Sequence, residues 1–234
     1  MIVVFWKWNK KGYRSKFQSE HVNIAKAMVK RNCTLDLEFV CVTDDRVGLD
    51  KDIRYVPLWD NPAPQYGAEG RPNCLYRLKA FSEEAAQIIG PRFVWFDLDM
   101  VVTDNIDNII GAKDDFAMWG DTMHFHQYNG SLCLMDAGKF PKVWDDFKGI
   151  DSLHQAQRQG FFGSDQAWIS YKMGMDHRMF NTEDGVYSFN NHYRTPEIRA
   201  MIPGNKLTFL HGARDPWDWQ VQRDYPWIKE HYRA

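Results

Sequence analysis

Two aspartates separated by one residue are the strongest chemical signal in the chain. Asp97 and Asp99 follow the apolar run from Phe93 to Phe96, which predicts a buried strand. Side chains alternate along an extended chain, so we expect both carboxylates on one face and Leu98 in the core. Two neighbouring carboxylates repel, and a divalent cation such as Mn²⁺ or Mg²⁺ removes that penalty. The pair therefore predicts a metal site at a strand end, with two solvated aspartates as the alternative.

Three later segments combine polar and small residues and are candidates for the rest of a site. They are Tyr128 to Met135, Gly163 to Trp168, and Leu210 to Trp217. In the second segment we expect Ser164 to cap a helix, which places Asp165 and Gln166 in its first turn. The helix dipole favours a carboxylate there, and side chains at a helix start are well fixed. The alternative for Asp165 is helix-start electrostatics alone.

In this order and spacing, the motifs resemble the retaining glycosyltransferases of family 8, the type of glycogenin and the bacterial lipopolysaccharide galactosyltransferases. The resemblance runs from the first strand to about Trp217. It implies the GT-A fold and transfer of a sugar from a nucleoside-diphosphate donor, expected to be a UDP-sugar, with retention of configuration. The acceptor would be a carbohydrate, a lipid-linked glycan or another hydroxyl compound.

The resemblance also implies a metal site and a basic residue at the donor. Asp97, Asp99 and His211 match the family's Mn²⁺ ligands, with Mg²⁺ as the alternative ion, and the ion bridges the donor diphosphate. Without its flanking residues, His211 would be interpreted as a satisfied core or surface histidine. Arg77 matches a basic side chain that reaches the donor, and Lys79 is the fallback.

Contacts to the donor and its sugar follow from the same resemblance. Asn129 and Gly130 match the family's Asn-x-Gly segment, with glycine and serine in reversed order. Asp165 and Gln166 match a pair that contacts the transferred sugar, and both are candidates to lie beneath the anomeric carbon. A front-side path assisted by the leaving phosphate would need neither of them as a nucleophile.

The segment after His211 departs from the family pattern, which usually reads His-Gly-x-x-Lys-Pro-Trp. Asp215 stands where the family's lysine grips the diphosphate. Because an acid repels phosphate, we expect Arg214 to point inward and take over this grip, or a basic loop residue to do so. Gly212 completes the predicted donor-binding residues of this segment.

The ends of the first two strands predict the nucleotide pocket. Asp44 follows the second strand and could accept the uracil N3–H, and an aromatic ring near Trp6 or Tyr13 could stack on the base. The chain has neither a G-x-G-x-x-G nor a P-loop motif, so dinucleotide and P-loop chemistry are not supported.

Two other functions compete with sugar transfer. Phe96 to Asp99 also resembles the nucleophile motif of haloacid-dehalogenase-type phosphatases, but Met100-Val101 follows where that family has Gly-Thr or a similar pair. A non-catalytic protein that binds a sugar or nucleotide on the same fold is the second alternative, because a fold does not fix function.

Alternating strands and helices must position these residues. Strands are predicted at Ile2–Trp6, Leu37–Thr43, Phe93–Phe96 with a continuation over Met100–Thr103, Phe116–Trp119, Ser131–Met135 and Leu207–Leu210. Helices are predicted at His21–Arg31, Leu75–Ile89, from a cap at Asp136 to Trp144, and Asp165–Lys172; Pro57–Pro72 is predicted to be a loop. The βαβ spacing predicts an α/β fold with a mostly parallel, Rossmann-like central sheet and helices on both faces.

We expect residues 1–234 to form one domain. Residues 1–110 would be a nucleotide-binding half that ends in the Asp-x-Asp motif, 111–217 an acceptor and sugar half, and 218–234 a C-terminal tail. The aromatic and basic tail favours packing onto the sheet over docking on a membrane, because nearby acids offset its basic residues.

Composition narrows the function classes. The net charge of −2 does not support a generic nucleic-acid binder, which usually carries a basic surplus. The four cysteines form no C-x-x-C pair, so we expect reduced thiols and a cytoplasmic location, with peripheral membrane attachment as the alternative.

Overall fold

The computed structural model describes residues 1–8, 17–67, 74–120, 127–193, 199–212 and 214–234. Within these ranges the strands are Ile2–Lys7 (β1), Glu38–Thr43 (β2), Ile53–Pro57 (β3), Arg92–Phe96 (β4), Met100–Val102 (β5), Phe116–Gly120 (β6), Tyr128–Asp136 (β7), Arg178–Phe180 (β8), Val186–Ser188 (β9) and Leu207–Phe209 (β10).

The helices in the same ranges are mostly short. The α-helices are Ser19–Arg31 (α1), Pro64–Gly67 (α2), Glu83–Ile88 (α3), Asp107–Ile110 (α4), Lys142–Asp145 (α5), Ile150–Arg158 (α6), Asp165–Met173 (α7), Phe189–His192 (α8), Trp219–Asp224 (α9) and Pro226–His231 (α10). Two 3₁₀-helices span Leu75–Phe81 and Thr182–Asp184. None of these described helices combines the length and the apolar character needed to cross a bilayer.

The central sheet of the described chain has seven strands in the order β3-β2-β1-β4-β7-β6-β8. The first four are mutually parallel, β7 is antiparallel to both of its neighbours, and β8 is parallel to β6. The expectation of a single-domain α/β fold with a mostly parallel sheet is therefore confirmed. Strands from both predicted halves of the chain hydrogen bond to one another, since β4 pairs with β7.

Both faces of the central sheet are covered by apolar layers. The inner strands are apolar along almost their whole length, as strands buried on two faces must be. On one face, Val3 and Phe5 pack with α1 and the C-terminal helices. On the other face, Val4 and Trp95 pack with the 3₁₀-helix over Leu75–Phe81 and with α7.

A second, smaller sheet lies beside the first, in the order β5-β10-β9. The predicted continuation of the Asp-x-Asp strand over Met100–Thr103 is thus wrong in one respect. Met100–Val102 is a strand, but it pairs antiparallel with Leu207–Phe209 and not with the neighbours of β4. The chain bends between β4 and β5, and the two aspartates lie in that bend.

Three other predicted elements differ from the structure. The predicted helix over Leu75–Ile89 is broken at Ser82, whose hydroxyl caps α3 by accepting the amide of Ala85. Asp136 ends β7 and forms an ion pair with Arg92, so it does not cap a helix; α5 starts after Pro141. The predicted loop from Pro57 contains the short helix α2, and the strand before it, β3, was not predicted.

Candidate functional site

Asp97 lies where sheet topology favours a binding site. The chain runs from β1 outward through β2 and β3 and returns to β4 on the other side of β1. The carboxyl ends of β1 and β4 therefore flank a topological switch point, the usual position of ligands in open α/β sheets. Asp97 directly follows β4. The segment that follows is a bend and not the extended strand we predicted, although Leu98 is buried in the core as expected.

Both carboxylate oxygens of Asp97 are held by neighbours. The guanidinium of Arg77 donates from Nη2 to Oδ1, and the Ser131 hydroxyl donates to Oδ2 at 2.7 Å. The backbone amide of Asp97 also donates to the Ser131 carbonyl at 2.8 Å. The Asp97 side chain is therefore fixed in orientation before any ligand arrives.

Asp99 is buried and incompletely satisfied. Its side chain is 9% exposed, and its Oδ1 has no hydrogen-bond partner within the described residues. Burial, together with the negative charges of Asp97 and Asp215, raises the pKa of Asp99 to about 7. A buried carboxylate with an unpartnered oxygen is costly unless a cation or a proton compensates it.

Arg77 connects the elements that surround the aspartates. It lies on the 3₁₀-helix and is 5% exposed. Its Nη1 donates to the carbonyl of Gly130 at 2.6 Å and lies 3.7 Å from Oδ2 of Asp165. Burial opposes its charge, but the carboxylates of Asp97 and Asp165 outweigh this effect and raise the Arg77 pKa. Helical periodicity alone would place Arg77 on a solvated helix face, whereas the structure buries it.

Asp165 and Gln166 begin α7 beside this cluster. Ser164 is the residue before the helix, as predicted, but its hydroxyl bonds to Oδ1 of Asp165 at 3.0 Å and does not cap the helix. Asp165 is 3% exposed, its Oδ2 accepts no hydrogen bond from any described residue although Arg77 is 3.7 Å away, and burial raises its pKa. Gln166 accepts the backbone amide of Gly130 at 3.3 Å. The pair is thus held against β7.

Gly130 lets β7 approach this cluster closely. A Cβ placed on it would lie 3.2 Å from Oδ2 of Asp165 and 3.4 Å from Nη1 of Arg77. The carbonyl of Gly130 also accepts the indole N–H of Trp95 at 2.8 Å. A side chain at this position would push the guanidinium and the carboxylate apart.

His211 is brought to the site by the smaller sheet. The amide of Leu210 donates to the carbonyl of Asp99 at 2.7 Å, so the next residue lies close to the aspartates. The Nε2 of His211 forms a hydrogen bond with the Ser188 hydroxyl at 2.8 Å. Within the described part of the chain, no three His, Cys, Asp or Glu side chains are close enough together to hold a metal ion.

The charges of the cluster nevertheless fit a divalent cation. Arg77 supplies one positive charge, and Asp97, Asp99 and Asp165 supply three negative charges when ionised, which leaves −2. The unpartnered oxygen of Asp99 is a hard ligand of the type that Mn²⁺ and Mg²⁺ prefer. The assignment of Asp97, Asp99 and His211 as metal ligands stays a prediction.

Two residues predicted to contact the donor nucleotide, Trp6 and Asp44, differ in exposure. Trp6 is 2% exposed and lies between Trp59 and Trp95, with ring centroids at 5.3 and 6.0 Å, so it has no free face for a base. Its predicted stacking role is therefore corrected: β1 is buried on both faces. Asp44 is exposed directly after β2, at the edge of the sheet that carries Asp97. Tyr13 lies outside the described residues.

Three further predicted donor contacts are Asn129, which lies in β7, and Gly212 and Arg214, which follow β10. Asn129 accepts the amide of Ser131 at 2.9 Å, so its side-chain oxygen braces the strand. Gly212 has a φ of +108°, which favours glycine, and lies near Asn190. Arg214 is exposed, with its guanidinium 5.8 Å from the ring centre of Phe189, and does not point inward as expected.

Lys79, the fallback for Arg77, does not join the cluster. Its ammonium forms an ion pair with Glu84 at 2.9 Å and lies 5.8 Å from the ring of Trp59. Two serines that contact the site were not predicted: Ser131 contacts Asp97, and Ser188 contacts His211. The position of Ser131 beside the Asn129-Gly130 motif could have indicated its role. The sequence near Ser188 carries no motif that could have done so.

No protein-family model matches the chain, and no curated protein sequence matches it. Solved structures do resemble it. The galactosyltransferase LgtC, solved with donor and acceptor sugar analogs, matches with a TM-score of 0.62 and 14% identity over 100% of this chain and 97% of LgtC. The glycosyltransferase GlyE of Streptococcus pneumoniae TIGR4 matches at 0.60 and 11% over 98% of this chain and 61% of GlyE. The bifunctional glycosyltransferase WbbM matches at 0.55 and 11% over 98% of this chain and 49% of WbbM. The chain therefore has the GT-A fold that these glycosyltransferases share.

Proposed function

We propose that this protein is a glycosyltransferase that moves a sugar from a UDP-sugar to an acceptor hydroxyl, with Mn²⁺ or Mg²⁺ and with retention. The observation that carries the proposal is the cluster of buried Arg77, Asp99 and Asp165 around the half-buried Asp97 at the switch point of a GT-A sheet. The family resemblance of the sequence motifs supports UDP as the nucleotide and retention as the outcome. A carbohydrate, a lipid-linked glycan or another hydroxyl compound would accept the sugar.

Asp97, Asp99 and His211 would hold the ion. When bound, it supplies positive charge that stabilises the departing diphosphate. Arg77 holds Asp97 in one orientation and brings Asp165 within 3.7 Å of its own guanidinium. The protein thus supplies a site whose geometry is fixed in advance, which lowers the reorganisation needed during reaction. Gly212, Asn129, Asp44 and Arg214 stay candidates for contacts to the rest of the donor.

Asp165 and Gln166 are the side chains proposed to face the transferred sugar. Both lie in the first turn of α7, where backbone geometry restricts their movement. The Oδ2 of Asp165 forms an ion pair with Arg77 at 3.7 Å but accepts no hydrogen bond from the described residues, so it could accept one from a sugar hydroxyl or stabilise the positive charge that develops at the anomeric carbon. Gln166 offers its amide nitrogen, since its oxygen accepts from Gly130.

The phosphatase alternative fits the chain less well. The solved structures that resemble the chain are glycosyltransferases, and Met100-Val101 follows the aspartates where the phosphatase motif has Gly-Thr or a similar pair. The binding-protein alternative shares the fold and is separated from sugar transfer by turnover alone.

Release of UDP from UDP-glucose, UDP-galactose and UDP-N-acetylglucosamine would test the proposal. Many transferases slowly pass the sugar to water, so the assay needs no acceptor. We expect turnover of at least one donor with Mn²⁺, none in excess EDTA, and a loss of about 100-fold or more in Asp165→Asn. Turnover of p-nitrophenyl phosphate without turnover of any donor would favour the phosphatase instead.

A further inference from the structure

A cleft beside the predicted sugar-transfer residues has a lining suited to a carbohydrate. Its volume is about 280 Å³, close to the lower end of the range for small-molecule sites. Its walls come from α6, from the end of α2 and from the segment that precedes α7. The lining residues are Tyr66, Ile150, Leu153, His154, Gln157, Phe161, Phe162 and Gly163.

One wall is a single face of α6. Ile150, Leu153, His154 and Gln157 have the i, i+3, i+4, i+7 spacing that brings side chains onto one side of a helix. Two of the four are apolar, and the other two are exposed hydrogen-bonding side chains. A few polar groups on an apolar wall can orient a ligand without making the site wholly polar.

The opposite wall is held in place by a buried glutamine. Gln127 is 1% exposed, and its amide bonds to both the N–H and the carbonyl of Phe162, each at 2.6 Å. This pairing fixes the backbone at Phe162, a residue that stays 46% exposed. Burying a polar side chain to present an apolar ring to solvent has no evident benefit for packing. It does provide a fixed aromatic surface.

The third side carries a second aromatic ring. Tyr66 donates from its hydroxyl to the carbonyl of Gly163 at 3.2 Å, which ties α2 to the same wall. Aromatic faces cover the C–H side of a pyranose, and a hydroxyl, an imidazole and an amide can bond to sugar hydroxyls. The lining residues that the structure describes include no lysine or arginine, so they match a neutral sugar better than a phosphate.

The cleft reaches the predicted transfer centre through one residue. Gly163 lines the cleft, and a Cβ placed on it would lie 3.3 Å from both Cγ and Nε2 of Gln166. Gln166 in turn bonds to Gly130, next to Arg77 and Asp165. A ligand in the cleft would thus be separated from the sugar-transfer side chains by a single glycine.

We propose that this cleft, between α6 and Phe161 to Gly163, binds a pyranose ring of the acceptor. The assignment rests on the proposed function, since it takes Asp165 and Gln166 as the transfer centre. Phe162 and Tyr66 supply the stacking surface, and His154 and Gln157 supply hydrogen bonds.

Saturation-transfer NMR of the full chain with methyl β-D-glucopyranoside, methyl β-D-galactopyranoside and methyl N-acetyl-β-D-glucosaminide tests the assignment. We expect binding of at least one glycoside, weakened by about tenfold in Phe162→Ala and in Gln157→Ala. Trp219→Ala removes another exposed aromatic ring, far along the chain on α9, and is the matched control. Its binding should equal that of the unmodified protein.

The result that would overturn the assignment is binding of none of the three glycosides, or binding that both cleft variants retain in full. Donor turnover of the unmodified protein, measured in parallel, separates this assignment from the proposed function. Turnover without glycoside binding refutes the cleft and leaves sugar transfer standing. Cleft-dependent glycoside binding without donor turnover supports a carbohydrate site and refutes the transferase.

Discussion

The two aspartates of the Asp-x-Asp motif have different environments despite their proximity. Asp97 is compensated by Arg77 and Ser131, whereas Asp99 is buried with an unpartnered oxygen. From the sequence alone we expected the two carboxylates to repel each other, so that removing either one would relieve repulsion. The structure predicts that they have opposite effects on stability.

Asp99→Asn should stabilise the protein in excess EDTA, and Asp97→Asn should destabilise it because Arg77 would lose a buried partner. The pKa of Asp99 is raised in the fold, so its contribution to stability is greatest below the unfolded value of 3.8 and is lost as the pH rises through about 7. The gain from Asp99→Asn should therefore grow between pH 4 and pH 7, to on the order of 4 kcal/mol.

Urea unfolding at several pH values would measure this difference. If both asparagine variants change the free energy of unfolding with the same sign at pH 7, the two environments described above are wrong. In saturating Mn²⁺, Asp99→Asn should instead lower the free energy of unfolding, because the unmodified Asp99 would then bind a cation.

At the scale of the elements, the close approach of β7 to α7 is a feature that the sequence motif only suggested. The backbone of Gly130 lies close to both Arg77 and Asp165, because a Cβ on it would be 3.4 Å from Nη1 of Arg77 and 3.2 Å from Oδ2 of Asp165. Helix α7 and its first turn were predictable, because Ser164 to Gly174 contains both a start and a stop signal. The contact between this turn and β7 was not, because it depends on how strands far apart in sequence are arranged.

Gly130→Ala should lower donor turnover by about 10-fold or more, because its Cβ would displace the guanidinium or the carboxylate. Its cost in stability should stay near 1–2 kcal/mol. Gly120→Ala on the neighbouring strand β6 is the matched control, since its Cβ would meet nothing closer than 3.6 Å. Equal turnover in the two variants would show that the close approach has no functional role.

The C-terminal helices pack onto the body of the protein. Tyr225 donates to the carbonyl of Tyr193 at 2.7 Å, and the rings of Tyr193 and Trp227 are 5.0 Å apart. Arg31 on α1 donates to the carbonyls of His231 and Arg233. This agrees with the expectation that the tail packs over the sheet.

Trp227→Ala should therefore lower the free energy of unfolding by about 3 kcal/mol, because the side chain is 7% exposed in the core. Trp219→Ala, on the adjacent helix and 65% exposed, should change it by less than about 0.5 kcal/mol. Thermal or chemical denaturation of the two variants would show whether the tail is part of the fold. Equal effects would argue against the packed arrangement.

Burial of the tail also bears on membranes. Its tyrosines and Trp227 are turned inward, and Trp219 is the one large hydrophobic residue that the described tail exposes strongly. We expect the protein to stay in the supernatant when it is sedimented with anionic liposomes. Pelleting that salt reverses and that removal of residues 227–234 abolishes would contradict this expectation.

For the whole molecule, the sequence allowed the inner strands of the central sheet and its site edge to be predicted, but not the edge strands β3 and β8. The apolar runs that became β1, β2 and β4 are long enough to be unambiguous, and the motifs fall at their ends. The second sheet was not predictable, although strands near β5 and β10 were expected, because β9 was not expected and the three strands pair over long sequence distances. Trp6 was misjudged for a related reason: strand periodicity does not reveal which faces are buried.

The candidate site was predictable as a set of residues but not as a network. Asp97, Asp165 and Arg77 were each selected from their motifs, yet their mutual contacts depend on tertiary packing. The buried position of Arg77 could not be inferred, because a charged residue on a short helix is usually solvated.

The central claim is that Asp97 and Asp99 hold a sugar nucleotide through a metal ion. Calorimetric titration of UDP with and without Mn²⁺ tests this claim most directly. We expect measurable affinity in Mn²⁺ for the unmodified protein. In excess EDTA, and in Asp99→Asn with Mn²⁺, affinity should fall by about 100-fold or more, because the carboxylates would then repel the diphosphate. Equal affinity for UDP in Mn²⁺ and in EDTA would contradict the account.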